Sequence, residues 1–375
     1  KLFINTGLIQ KSRTPEQLIG VIAHETGHIA GGHLSRLKQK LDSFSPESII
    51  GYLLGGAAAL AGRPDAAGVL ILGGSDFSRR SFLTYSRTED GSADQAAVSY
   101  LDKVGISSKG FLEFFHILQR NSLVASSDQN PYLSSHPLTT DRIAFVEQHL
   151  SDSPLKNRRV SEKFQKMHAR MIAKLDAYLL PAQHTLRLYP TNDTSIAARY
   201  ARSQAYNKDN QLDKAIAEID GLISDFPDDP YFPELKAQIY FENGNIDEAI
   251  DYYKKADAIL PNEPLILQEL GRAYTETNDP ELINKAIEIY EDAVRIEKKS
   301  SVLWRQLGIA YGKADRLAES SLALAEEAYL RGNYKDAIFL AGRAEKDFST
   351  GSRQWLQAQD LRLTSERLLK QQKNR

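Results

Sequence analysis

Residues 24–28, His24-Glu25-Thr26-Gly27-His28, place two imidazoles four positions apart with a carboxylate beside the first. On a helix, side chains at i and i+4 lie one above the other, so the two ring nitrogens can share one metal ion. Glu25 then stands where a carboxylate can take the proton of an attacking water. The flanks predict that helix: Thr14 as N-cap, Pro15 at the first helical position, Gln17 at the third, then apolar Leu18, Ile22 and Ile29. The helix is expected to run to about Leu41.

Around this stretch the chain has 375 residues, room for two or three domains with cores of their own. Its 42% hydrophobic and 26% charged residues exclude a disordered or fibrous protein. A formal net charge of -2 gives no electrostatic reason to expect nucleic acid as a partner. The chain contains no cysteine, which removes disulfides and thiolate ligands, so a zinc ion must be held by histidine and carboxylate. Lys1 opens the chain directly into Leu2–Ile9, which reads as a strand, so an upstream segment carrying any targeting signal is expected. As a sheet edge, that strand could take an extended substrate by strand addition.

A zinc ion on two histidines needs a third protein ligand and an open position for water. His33 lies nine residues after His24, one short of the ten-residue spacing that would supply a third histidine. On a continuous helix it falls about 180° around the axis and is expected to face away from the metal, behind the ligands or in solvent. Residues 49–75 are rich in Ala, Gly, Leu and Ile, with Arg63-Pro64-Asp65 between two apolar arms. Each arm is well short of the ~20 residues needed to span a bilayer, and the run reads as a buried helical hairpin, with a membrane-dipping hairpin as the alternative. Next comes Tyr85 to Ala97, a helix with carboxylates at Glu89, Asp90 and Asp94. Asp90 and Asp94 share a face, so one can ligate while the other hydrogen-bonds a ligand imidazole from behind. The aromatic-rich segment with Phe111, Phe114 and Phe115 reads as core packing.

His24-Glu25-Thr26-Gly27-His28-Ile29-Ala30-Gly31-Gly32-His33 followed by Ser86-Arg87-Thr88-Glu89-Asp90-Gly91-Ser92-Ala93-Asp94 resembles the HtpX-like gluzincin metallopeptidase family. The second motif of that family is Ser-Arg, a few residues, then Glu-x-x-Ala-Asp, with the Glu as third zinc ligand. Ser86, Arg87, Ala93 and Asp94 match, and the ligand position falls on Asp90, a departure from the family pattern. Aspartate is one methylene shorter, so the helix must approach the zinc more closely, or Glu89 must swing in as alternative ligand, or the site is weakened. Glu89 projects about 100° from Asp90 around the helix and ranks second. Ser135-His136-Pro137, with Arg142 following, matches the family's His-Pro loop. His136 could stabilise an oxyanion or occupy the open metal position and hold the enzyme latent. Arg142 could orient substrate carbonyls or pair with Asp94.

Residues 151–194 read as a connecting helix and linker, polar and locally basic, ending at Tyr189-Pro190-Thr191-Asn192-Asp193. Beyond it the chain repeats. Tyr206, Tyr240 and Tyr274 are spaced by 34, as are Pro227 and Pro261, and Ala215 and Ala249, which is the tetratricopeptide period. Leu270-Gly271-x-x-Tyr274 and Trp304-x-x-Leu307-Gly308-x-x-Tyr311 carry its fullest signatures, with three residues inserted near Asn278-Asp279-Pro280. A more degenerate unit follows around Ala325, Ala337 and Ala344, and Trp355 opens a capping helix.

The sequence therefore predicts a mainly α protein. The resemblance implies a zincin-like metallopeptidase domain with a small β element over 1–150; the repeats predict an α-solenoid over 195–375 that binds peptides or partner proteins. The expected activity is a zinc endopeptidase with His24, His28 and Asp90 on Zn2+, Glu25 as general base, and His136 and Arg142 at the active site. By resemblance, such a chain works in the bacterial periplasm on stalled or misfolded outer-membrane proteins. Its repeats would contact clients or the outer-membrane assembly machinery and carry a chaperone role; membrane contact stays open. The alternative is an inactive tetratricopeptide adaptor, which the short Asp90 keeps open and Glu25 argues against.

Overall fold

The computed structural model describes residues 2–33, 35–36, 76–124, 136 and 138–373, with side chains given outside 76–86, 121–124 and 373. The apolar run 49–75 lies outside the described residues. The chain divides into two compact units, Lys1–Asp176 and Ala177–Arg375.

The first unit holds α1 (Thr6–Lys11), α2 (Pro15–Ala30), α3 (Asp76–Lys103), α4 (Lys109–Val124), α5 (Thr140–Asp152) and most of α6 (Glu162–Leu179). No strand occurs among the described residues, and the strand expected over Leu2–Ile9 is not found there. Where Leu2–Ile9 suggested a strand, the Asn5 carbonyl accepts from Leu8 N at 3.0 Å and Ile9 N at 3.2 Å and starts α1. Leu8 packs on the core from that helix, so no sheet edge exists there for strand addition. Thr14 is the N-cap of α2 with Pro15 at its start, and the Gln17 side chain reaches back to accept from Arg13 N at 2.7 Å.

The core of this unit joins Val21 and Ala23 of α2, Ala97, Val98 and Leu101 of α3, Phe111, Phe114, Phe115 and Leu118 of α4, and Ile143 and Val146 of α5. On α3, Asp90, Asp94, Ala97 and Leu101 form one buried stripe at helical spacing. The carboxylates thus occupy the first turns of a core-facing surface and need partners there. Two glycines bring α2 close to its neighbours. A Cβ on Gly20 would lie 2.6 Å from Phe111 Cβ, and one on Gly27 would lie 2.9 Å from the Ala93 carbonyl oxygen. Residues 151–176 fold onto the same unit: Glu16 accepts from Val160 N and Gln165 Nε2, Ser12 meets His168 at 3.0 Å, and Gln10 Nε2 donates to Asp176.

The second unit is an array of helices: α7 (Ala182–Leu188), α8 (Ile196–Lys208), α9 (Leu212–Asp225), α10 (Tyr231–Glu242), α11 (Ile246–Ile259), α12 (Pro264–Glu276), α13 (Pro280–Ile296), α14 (Ser301–Lys313), α15 (Leu317–Leu330), α16 (Tyr334–Asp347) and α17 (Arg353–Lys373). Each packs mainly on its sequence neighbours, as a solenoid requires. The repeating small residues have a steric reason. A Cβ on Gly271 would lie 2.7 Å from the ring of Tyr290, which is fully buried between α12 and α13. The three-residue insertion lengthens a helix: α13 has 17 residues where α11 has 14. Turns 209–211, 243–245, 277–279, 314–316 and 331–333 each carry a left-handed middle residue, Asn210, Gly244, Asn278, Asp315 and Gly332. Such turns flank α15 on both sides, which is why the repeat pattern loses its 34-residue step there. No described helix is long and apolar enough to cross a membrane.

Candidate metal centre

α2 presents His24 and His28 on one face, and α3 lies against that face with Asp90 and Asp94. His24 Nε2 and His28 Nε2 approach to 3.0 Å, with Asp90 Oδ1 at 3.7 Å and 3.3 Å from them. His136, on the chain before α5, brings Nδ1 to 2.8 Å from Asp90 Oδ1. Ligand atoms of His24, His28, Asp90 and His136 all lie within 4.8 Å of one another.

These residues fit a metal. The donor set is three imidazoles and one carboxylate, the nitrogen and oxygen set that zinc accepts. Asp90 is 1% exposed, and its Oδ2 is a buried oxygen with no hydrogen-bond partner. The Arg142 guanidinium faces that oxygen, Nη1 at 3.7 Å, while Oδ1 is left to the three imidazoles, a buried anion that a cation among the rings would further compensate. Burial pushes the Asp90 carboxyl up, but the contacts from His136, His24 and His28 outweigh it and hold the group well below the usual carboxylate range. Burial likewise lowers His24, and the Asp90 and Asp94 carboxylates more than offset it, so its net shift is upward.

Asp94 stands behind His24, its Oδ1 2.8 Å from Nδ1 of the ring. Arg142 holds that carboxylate: Nε donates to Oδ2 at 2.6 Å and Nη2 to Oδ1 at 2.9 Å. The guanidinium, 6% exposed and 5.0 Å from the Phe115 ring, holds Asp94 by these two bonds and also brings Nη1 to 3.7 Å from Asp90 Oδ2. Thr139 caps α5 by accepting from Arg142 N, which fixes where that arginine starts. Glu25 stands at the edge of the same cluster, half-buried, with Oε1 3.6 Å from His136 Nε2. Glu89 points elsewhere and is outside the four-residue group; it pairs with His33 and Arg36.

His33 departs from its sequence expectation. α2 ends at Ala30, and Gly32 has φ of 65°, a left-handed turn that folds the chain back. His33 therefore lies buried beside the site, with Nδ1 2.7 Å from His28 Nδ1 and Nε2 2.7 Å from Glu89 Oε2. Burial lowers its pKa, and the Glu89 charge only partly offsets that. The assumption of a continuous helix to Leu41 caused the misplacement; the pair Gly31-Gly32 is the signal that marks the helix end. Arg36 was not read from the sequence. Its Nε and Nη2 donate to the two Glu89 oxygens at 3.1 Å and 2.7 Å, and its Nη1 donates to the Gly31 carbonyl.

Comparison with known proteins gives two family matches on the chain. Residues 1–150 match the model of Peptidase family M48, and residues 198–264 match a tetratricopeptide repeat model. The chain is 23% identical over 369 residues to the beta-barrel assembly-enhancing protease of Escherichia coli (strain K12), covering 94% of this chain and 72% of that protein. The protein of the same name from Yersinia pestis is 22% identical, over 99% of this chain and 77% of its own length. The chain thus carries a peptidase M48 domain ahead of tetratricopeptide repeats, and it is homologous to these proteases over most of its length.

Proposed function

We propose that this chain, a peptidase M48 domain joined to tetratricopeptide repeats, is a zinc-dependent endopeptidase that cleaves misfolded or stalled envelope proteins. The observation that carries the reading is the convergence of the His24, His28 and His136 ring nitrogens on the buried Asp90 Oδ1, with Glu25 on the adjoining open side. Zinc is favoured because the set contains imidazole and carboxylate and no thiolate. Held there, the ion would supply Lewis acidity to the scissile carbonyl and acidify a water molecule.

The chain's own residues divide the remaining work. His24, His28 and Asp90 hold the ion; Asp94, clamped by Arg142, orients His24. Glu25 accepts the proton of the attacking water and delivers it to the leaving amine, so its carboxylate ends the cycle as it began. His136 is the fourth member of the donor group, standing where a substrate oxygen has to enter, and holds the site idle until it withdraws.

The repeats serve as the client or partner surface. A groove of about 710 Å³ on that unit is lined by Tyr329, Leu356 and Leu361 with Glu326, Arg353 and Asp360, a mixed surface suited to peptide. The relatives' name ties them to β-barrel assembly, and with the family resemblance it supports a periplasmic site of action, outer-membrane proteins and their assembly machinery as partners, and a chaperone role. The inactive-adaptor alternative rested on the short Asp90 side chain, and the close contact of α3 with Gly27 offsets that shortening. Glu25→Gln tests the reading: it should retain zinc and client binding and lose cleavage of an unfolded outer-membrane protein by at least a hundredfold. Cleavage at the wild-type rate would refute it.

A further inference from the structure

The two histidines of α2 are supported from behind in different ways. His24 has a carboxylate at its Nδ1, Asp94 at 2.8 Å, itself gripped by Arg142. His28 has an imidazole at its Nδ1, His33 at 2.7 Å, whose far nitrogen meets Glu89, gripped by Arg36. Both lines end in an arginine–carboxylate pair.

We propose that His33 is a positioning residue of the metal centre: it accepts the Nδ1 proton of His28, is itself oriented by the Glu89–Arg36 pair, and thereby presents the Nε2 lone pair of His28 to the metal. The inference rests on the metal-centre reading above and extends it to a residue outside the ligand set. The proton count admits this direction. Glu89 Oε2 is an acceptor 2.7 Å from His33 Nε2, so that nitrogen carries a hydrogen. A neutral His33 then has its lone pair on Nδ1, facing His28 Nδ1, which must donate. His28 Nε2 is left without a hydrogen, and it is the nitrogen that lies 3.0 Å from His24 Nε2 and 3.3 Å from Asp90 Oδ1. The opposite tautomer would aim an N–H into the ligand cluster and block a cation.

The backbone is built for this contact. A Cβ on Gly31 would lie 2.2 Å from His33 Nε2, so only glycine lets the ring fold back over that position. Gly32 supplies the left-handed turn, and Arg36 Nη1 closes it on the Gly31 carbonyl. His33 and Glu89 are 6% and 13% exposed at the side chain, dry enough for the orientation to hold.

The test uses the full chain, stripped of metal and titrated with Zn2+ against a chromophoric chelator. His33→Ala should weaken zinc binding by about 10–100-fold and Glu89→Gln should weaken it less, in the same direction. The melting temperature of the metal-free chain should stay within about 2 °C in Glu89→Gln, which separates positioning from packing. In ¹⁵N-histidine spectra of the metal-free protein, His28 should be the Nδ1–H tautomer in the wild type and gain Nε2–H character in His33→Ala. Gly31→Ala, which displaces the His33 ring without deleting it, should reproduce the affinity loss. Wild-type zinc affinity in His33→Ala, or an Nε2–H His28 in the wild type, overturns the assignment of His33. A wild-type chain that takes up no zinc instead refutes the metal-centre reading itself.

Discussion

Gly27→Ala is the most informative single change in the peptidase unit, because it acts on the spacing of two helices without touching a ligand. An added Cβ would lie 2.9 Å from the Ala93 carbonyl oxygen, 3.0 Å from Ala93 Cα and 3.1 Å from Ala96 Cβ. Comfortable carbon contacts begin near ~3.5 Å, so α3 must retreat by roughly 0.5 Å or more. Overpacking costs about 1–3 kcal/mol, and alanine's better helix propensity returns about 1 kcal/mol, so global stability falls little. Zinc binding responds more strongly, because ligand distances are fixed to about 0.2 Å and Asp90 rides on α3. We expect at least a tenfold weaker zinc affinity in a chelator competition, equivalent to about 1.4 kcal/mol. Asp90→Glu adds about 1.5 Å of reach, too much in the wild type and useful once α3 has withdrawn. The double variant Gly27→Ala/Asp90→Glu should therefore bind zinc more tightly than Gly27→Ala alone, a coupling of about 1–3 kcal/mol. Undiminished affinity in Gly27→Ala, or strictly additive effects, would refute the idea that glycine compensates the shortened carboxylate.

His136→Ala removes the donor that shares Asp90 with the two α2 histidines, and basal cleavage of an unfolded client should rise several-fold; a fall in activity would assign His136 to catalysis instead. Arg142→Met leaves the buried Asp94 carboxylate without its clamp and should cost the peptidase unit about 3–5 kcal/mol, read as a lowered calorimetric transition of the full chain. An unmoved transition would mean the pair is dispensable. In the repeats, burial raises the Glu326 pKa and the Gln357 hydrogen bond only partly opposes it. A raised carboxylate favours the fold below its unfolded value, near 4.3, and loses that contribution as pH climbs through the folded one. Glu326→Gln should thus melt about 1–3 °C above wild type at pH 7, with the gap closing near pH 4; a gap constant with pH would contradict the sign.

Much of this was legible in the chain because the decisive patterns are periodic. The i, i+4 spacing of His24 and His28 and the 34-residue step of Tyr206, Tyr240 and Tyr274 each follow from helix geometry, and the helices carry them as read. Short apolar runs are ambiguous. Leu2–Ile9 opens on the apolar run Leu2-Phe3-Ile4 and reads as a strand, yet the Asn5 carbonyl and the packing of Leu8 make its second half a helix. The error over His33 came from extending a helix past two glycines; one turn at Gly32 moved that side chain from the far face of the helix to the back of His28. Arg36 and Glu89 meet across 53 residues, a pairing that spacing along the chain cannot reveal.

The site is sealed on one side and open on the other, and this bears on whether the repeats are an adaptor or the tail of a protease. His24 and Asp90 are 0% and 1% exposed at the side chain, whereas His28, His136 and Glu25 are 18%, 18% and 22% exposed. A metal kept only to hold a scaffold together sits in a closed set of ligands, while a catalytic one keeps a face that substrate can reach. Here the sealed side carries the rigid part, His24 backed by Asp94 and Arg142, with Asp90 on the same helix as Asp94. The open side carries Glu25, which no structural site requires, and His136, which comes from neither α2 nor α3. Under the proposed function, displacement of His136 would change access to the site while His24, His28 and Asp90 stay on their helices, so latency and catalysis would be compatible in one arrangement of side chains.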